Sequence, residues 1–148
     1  ITWFIMIFKQ EQIKISGKEK GAHLITHEVL SQLDLSNIKI GLCHIFIQHT
    51  SASLALNENA DPTVRTDVNL FFDTICNSIE TQFKHTDEGP DDMPAHINSI
   101  LIGNSLSLPI KDARLSLGIW QGIYLCEHRL HMPIRTLVIT YFGQSYEN

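Results

Sequence analysis

A long apolar run, Ile38 to Ile47, stops abruptly at Gln48, His49 and Thr50. Along it Cys43, Ile45, Ile47 and His49 share one face of an extended strand, while Leu42, His44, Phe46 and Gln48 share the other. Apolar groups on both sides predict a central strand covered above and below, so polar side chains emerge from a rigid base at its C-terminal end. Ser51 and Ser53 follow, then a second apolar run, Leu54 to Leu56, that ends in Asn57, Glu58 and Asn59. Polar groups this close to a buried strand each need a partner, so the block marks either a solvated loop or a built site.

The remaining pattern predicts elements on either side. Phe8 to Ser16 alternates and reads as a half-exposed strand near a sheet edge, ended by Gly17 and Gly21. Ala22 to Leu33 then takes a helical period through Ala22, Ile25, Val29, Leu30 and Leu33. Asp61 as N-cap and Pro62 at the first position start a helix running to Glu80, whose stripe of Val64, Val68, Phe71, Phe72, Ile75 and Ile79 is expected to be core. Gln82 to Ala95 reads as the one long polar loop, and Pro94 to Ile102 as a short helix stopped by Gly103. Strands are expected over Ser105–Ile110, Ser116–Cys126 and Thr136–Phe142, with a turn at Lys111–Arg114. Hairpin-like connections in the second half make the fold class α+β, an antiparallel or mixed sheet with helices packed on it.

Composition narrows this picture. At 148 residues and 43% hydrophobic content the chain reads as a single domain over 1–148, with residues 1–5 taken as sequence upstream of a natural start at Met6. A net charge of −5 argues against a nucleic-acid partner. No apolar run is long enough to span a bilayer, so no membrane partner is expected. Three cysteines without a paired spacing predict buried thiols in a reducing, cytoplasmic setting.

Eight histidines, several beside acids, carry the candidate chemistry. Neither a glycine-rich phosphate loop nor a zinc-peptidase motif is present. What remains is distributed: His49 with Glu58, His85 with Asp87 and Glu88, Asp92 with His96, and Glu127 with His128. Imidazoles suit Zn, and carboxylates suit Mg and a phosphorylated substrate; the spacing does not choose between them. Arg129, His131 and Arg135 form the one local basic group, suited to a phosphate clamp. Trp120 reads as packing and Cys126 as an inert thiol in an apolar strand.

Three blocks, QHTSASLALNENADP, KHTDEGPDDMPAHINSILIG and GIWQGIYLCEHR, together resemble the YjbQ-like family, some of whose members are described as secondary thiamine-phosphate synthases. The resemblance covers about Gly21 to Gly143 and implies a homotrimer with the polar blocks gathered in a pocket near subunit contacts that holds a divalent metal, Zn or Mg. It implies His49, His85 and His96 as metal ligands and Asp92, Glu58, Glu127 and His128 as catalytic groups. Thr50, Asn57, Asn59, Gln121 and Arg129 are then substrate-binding, with Arg129 on phosphate. The implied reaction joins a hydroxymethylpyrimidine pyrophosphate to a thiazole phosphate. Ile119 stands where the family pattern has threonine, which removes a hydroxyl from that block. The alternative reading is a non-enzymatic trimeric module for a metal or anion, or another phosphate or hydrolytic chemistry in the same pocket.

Overall fold

The computed structural model describes residues 3–146. Eight strands form two antiparallel sheets. The larger has the order β1 (Met6–Ile15), β8 (Arg135–Ser145), β3 (Ile38–Ile47), β5 (Ser105–Lys111), β6 (Arg114–Leu115). The smaller has β2 (Gly21–Leu24), β7 (Gln121–Glu127), β4 (Ala52–Glu58). Of the five residues read as upstream sequence, Ile1 and Thr2 lie outside the described residues, and Ile5 exchanges hydrogen bonds with Ser145 beside the end of β8.

The two sheets enclose one core. Cys43, Ile45 and Ile47 of β3 and Leu137, Ile139 and Tyr141 of β8 meet Leu54 of β4 and Ile123 and Leu125 of β7. Along β8 burial alternates strictly, the period-two signature of a strand with one covered face. Ile123 to Glu127 of β7 is buried at every position, because the larger sheet covers one face and the helices α2 (Pro62–Asn77) and α3 (Asp92–Ile102) the other.

Several expectations are met and several corrected. β1 is the edge strand its alternation predicts, and β3 is central in its sheet. Only one face of β3 is sealed, however: Phe46 and Ile40 on the other are exposed, so it is not covered above and below. The helix expected over Ala22–Leu33 is replaced by strand β2 and a five-residue helix α1 (Thr26–Leu30). There the ladder to β7, from Gly21 opposite Glu127 to Leu24 opposite Tyr124, outweighs the helical period, since tertiary pairing routinely overrides propensity.

Helix α2 starts where expected: Asp61 accepts from the Thr63 amide at 2.9 Å, with Pro62 at the first turn. It stops at Asn77, and its apolar stripe is not core, since Phe71 is 59% exposed and Ile75 and Ile79 are also exposed. Trp120, expected to pack, is 63% exposed. Helix α3 begins two residues ahead of Pro94 and ends at Gly103, whose φ of 111° only glycine adopts readily. Asp112 and Ala113, both at positive φ, make the tight turn between β5 and β6. No helix of the described residues is long and apolar enough to cross a membrane.

Candidate metal centre

The ladder of the smaller sheet divides the polar blocks. Ala52 lies opposite Glu127 and Glu58 opposite Gln121, and six steps of about 3.3 Å put the two ends ~20 Å apart. At the far end Glu58 accepts from the amides of Ala60 and Asp61, at 3.1 and 2.9 Å. Asn57 accepts from the Glu58 amide, Asn59 donates to the carbonyls of Ile119 and Gln121, and the Gln121 side chain accepts from Gly118. These contacts shape the β4–α2 and β6–β7 turns. Within one chain Glu58, Asn57, Asn59 and Gln121 therefore lie at the opposite end of the sheet from the histidines.

At the near end α3, the loop before it and the turn after β7 converge on Asp92, a carboxylate only 1% exposed. Its Oδ2 lies 2.8 Å from His85 Nε2 and 3.2 Å from His96 Nε2, and its Oδ1 accepts from Arg129 Nη1. Asp92 and His96 stand one helical turn apart on α3, while His85 reaches in from the loop. One ligand atom from each of the three residues fits within 4.8 Å of the others, and among the described residues this is the sole such group of three or more. Burial alone would push the Asp92 carboxyl up, but the His85 hydrogen bond and the Arg129 and His96 charges together hold it below the usual carboxylate range.

The protons of this cluster need explaining. His96 Nδ1 lies 2.9 Å from the Thr50 carbonyl, which can only accept, so that nitrogen carries a proton. Its Nε2 faces Asp92, also an acceptor, and His85 Nε2 faces the same oxygen. A neutral His96 satisfies only one of its two acceptors; the other needs a second proton or a metal ion at Nε2. Fixing Nδ1 on a backbone carbonyl to free Nε2 as a ligand is the usual second-shell arrangement of metal-binding histidines. The donor set, two imidazoles and one carboxylate, fits a divalent ion such as Zn. Two open clefts flank it, one of 460 Å³ beside His85 and one of 570 Å³ bordered by His49, Thr50, His96 and Ser99.

Other expected roles change. The Nε2 of His49 accepts the Thr136 amide at 2.8 Å, and the residue stands outside the cluster; burial first, then the Arg135 charge, lower its pKa. His49 thus lines the cleft beside His96 and is not one of the three converging residues. Arg129 is no free phosphate clamp, since Asp91, Asp92 and the Glu88 carbonyl take its guanidinium. Glu127 is fully buried and paired with Arg135, so it is a structural anion rather than an acid or base open to substrate. His128 is buried against Ser53, 2.8 Å away, and desolvation lowers its pKa to about 4. Thr50 contributes its carbonyl. Sequence reasoning missed Asp91, which fixes Arg129 and the Leu130 amide, and the structural use of Arg135. The doubled acid at the start of α3 is the one visible signal for Asp91.

The family model for UPF0047, YjbQ-like proteins, matches residues 11–144. The UPF0047 protein YjbQ of Escherichia coli O157:H7 is 47% identical over 137 residues, covering 91% of this chain and 98% of that protein. A UPF0047 protein of Synechocystis is 41% identical over 135 residues, covering 91% of this chain and 92% of that one. Among solved structures, a YbjQ-like protein of unknown function from Sulfolobus solfataricus superposes with a TM-score of 0.82 at 23% identity, covering 94% of this chain and 99% of that chain. A conserved hypothetical protein from Thermus thermophilus gives 0.75 at 30% identity, covering 87% and 97%. These relatives are named only as UPF0047, hypothetical or unknown-function proteins, and none is named for thiamine-phosphate synthesis. The expected synthase and transferase activity is accordingly withdrawn.

Proposed function

The chain belongs to the UPF0047 family of YjbQ-like proteins, and from that premise we propose that it is a divalent-metal protein whose His85, Asp92 and His96 hold the ion. The observation that carries this reading is the convergence of His85, Asp92 and His96 within 4.8 Å, with His96 Nδ1 held by the Thr50 carbonyl so that Nε2 takes either a second proton or the ion. When bound, the ion would supply Lewis acidity and a coordinated water. Around it this chain's residues position rather than react. Thr50 orients His96, while Arg129 and Asp91 hold Asp92 in place from the turn after β7.

The partner we propose is a small phosphorylated molecule entering by the clefts beside His85 and His96. Because Arg129 is already paired, the phosphate would depend on the metal for its countercharge. Assembly as a homotrimer is part of the same reading, supported by the exposed apolar side chains of Phe71 and Ile75 on α2, of Ile79 just beyond it, and of Ile119 and Trp120.

The test is calorimetric titration of chelator-stripped protein with Zn²⁺ and Mg²⁺, followed by inorganic phosphate. One ion per chain is expected, lost in a His85→Ala/His96→Ala variant, with phosphate binding only to the loaded form. Retention of the ion by that variant, or equal phosphate binding without metal, would overturn the reading.

A further inference from the structure

A separate cavity of 140 Å³ lies between the outer face of the smaller sheet and helices α2 and α3. Val68 and Phe72 of α2 and Asn98 and Ile102 of α3 wall it, with Cys126 and His128 from the β7 side. None of these belongs to the His85, Asp92 and His96 cluster. The Lys20–Asp73 ion pair, 2.7 Å long and partly exposed, stands at its solvent side.

Three features define what would fill it. The volume is close to that of the engineered cavity of about 150 Å³ that admits benzene. Its walls combine apolar faces, Val68, Phe72 and Ile102, with a polar edge. On that edge one ring nitrogen of the buried His128 is engaged by Ser53 at 2.8 Å, while the other has no partner among the described residues. No fully buried side-chain nitrogen or oxygen lacks a partner among the described residues, so this second nitrogen is not sealed in protein, and His128 lines the cavity. Asn98 spends its Oδ1 on the Cys76 thiol, 3.5 Å away, which leaves its NH₂ group as a donor.

The lining also carries no free charge. His128 is neutral near pH 7 because burial lowers its pKa to about 4, and Cys126 is a thiol because burial pushes it up to about 12. Glu127, the acid on the wall, is neutralised by Arg135, and Lys20 and Asp73 neutralise each other. A charged ligand would lose its hydration without compensation, whereas an uncharged one with donor and acceptor on one edge would not.

We propose that this cavity is a second ligand site, distinct from the metal centre, that takes an uncharged nitrogen heterocycle of azole size, held at its edge by His128 and Asn98. Phe72 and Val68 would contact the ring.

Pyrazole, titrated into ¹⁵N-labelled protein and followed by amide chemical shifts, tests this, with benzene and guanidinium as comparators on the same wild-type chain. Saturable shifts at His128, Asn98 and Cys126 are expected with pyrazole, weaker ones with benzene and none with guanidinium. His128→Phe keeps an aromatic ring and removes both ring nitrogens, and is expected to weaken pyrazole by about tenfold. Val68→Trp fills the space and is expected to abolish binding, with Zn²⁺ uptake unchanged in both variants. Absence of saturable shifts at those amides, benzene binding as tightly as pyrazole, or unchanged affinity in His128→Phe would each overturn the proposal. The three-ligand comparison on the wild-type chain needs no variant to fold.

Discussion

Replacing Arg135 by Met would leave the Glu127 carboxylate buried without its cation. Glu127 is 0% exposed and faces the core with the parity of Ile123 and Leu125. Arg135 meets it through Nε at 2.7 Å and Nη2 at 2.5 Å, and also holds the Ser51 carbonyl at 3.0 Å. The carboxylate in turn accepts the amides of His128 and Arg129, at 3.0 and 3.1 Å, which shape the turn that carries Arg129 to Asp92. Breaking a buried pair from one side costs roughly 3–5 kcal/mol, far above the ~0–1 of a surface pair. Adding Glu127→Gln to Arg135→Met removes the charge and keeps a carbonyl for the two amides, so about 2 kcal/mol should return. Urea denaturation of the parent, single and double variants at one protein concentration reads both values. A single-variant loss below about 1 kcal/mol, or a double variant no more stable than the single, would refute the reasoning.

Three further outcomes follow from the same contacts. The unfolded chain protonates His128 at about 6.5 and the folded one only at about 4, so stability is full above the first value and falls between the two, by roughly 3 kcal/mol. His128→Gln should flatten that decline in urea titrations across pH, and parallel curves for variant and parent would contradict it. Cys43, Cys76 and Cys126 are all buried, with Cys43 pushed up to about 11 and Cys126 to about 12, so a disulfide reagent at pH 8 should reach them only after denaturant is added. Asp61→Ala removes the cap that accepts the Thr63 amide and should cost about 1 kcal/mol with no change in metal content, measured by denaturation and plasma mass spectrometry.

The legible parts of the fold were those where local and global preferences agree. Asp61-Pro62 declares the start of α2, Gly103 the end of α3, and the alternation of β1 its edge position. Ala22–Leu33 was misread because a helical period there is overruled by pairing with β7, which no local pattern reports. The α2 stripe shows the reverse limit: apolar spacing marks a face, but not what covers it.

At the site, the Asp92–His96 spacing and the polar loop around His85 were visible. The partition between ligand and scaffold was not. Glu127, His128 and Arg129 look alike as a charged run, yet Glu127 meets Arg135 in the core, His128 meets Ser53 on the opposite face, and the turn after β7 carries Arg129 out to Asp91 and Asp92. His49 stands apart from the three converging residues for a similarly non-local reason, the hydrogen bond its Nε2 accepts from the Thr136 amide of β8.

X-ray absorption at the zinc edge, on protein loaded with one equivalent of Zn²⁺, tests the central claim most directly. Two imidazole nitrogens and carboxylate oxygen are expected around the ion, with the imidazole signal lost in His85→Ala/His96→Ala and the carboxylate contribution diminished in Asp92→Asn. A sulfur ligand, a spectrum unchanged in the double variant, or an ion that does not stay bound would contradict it.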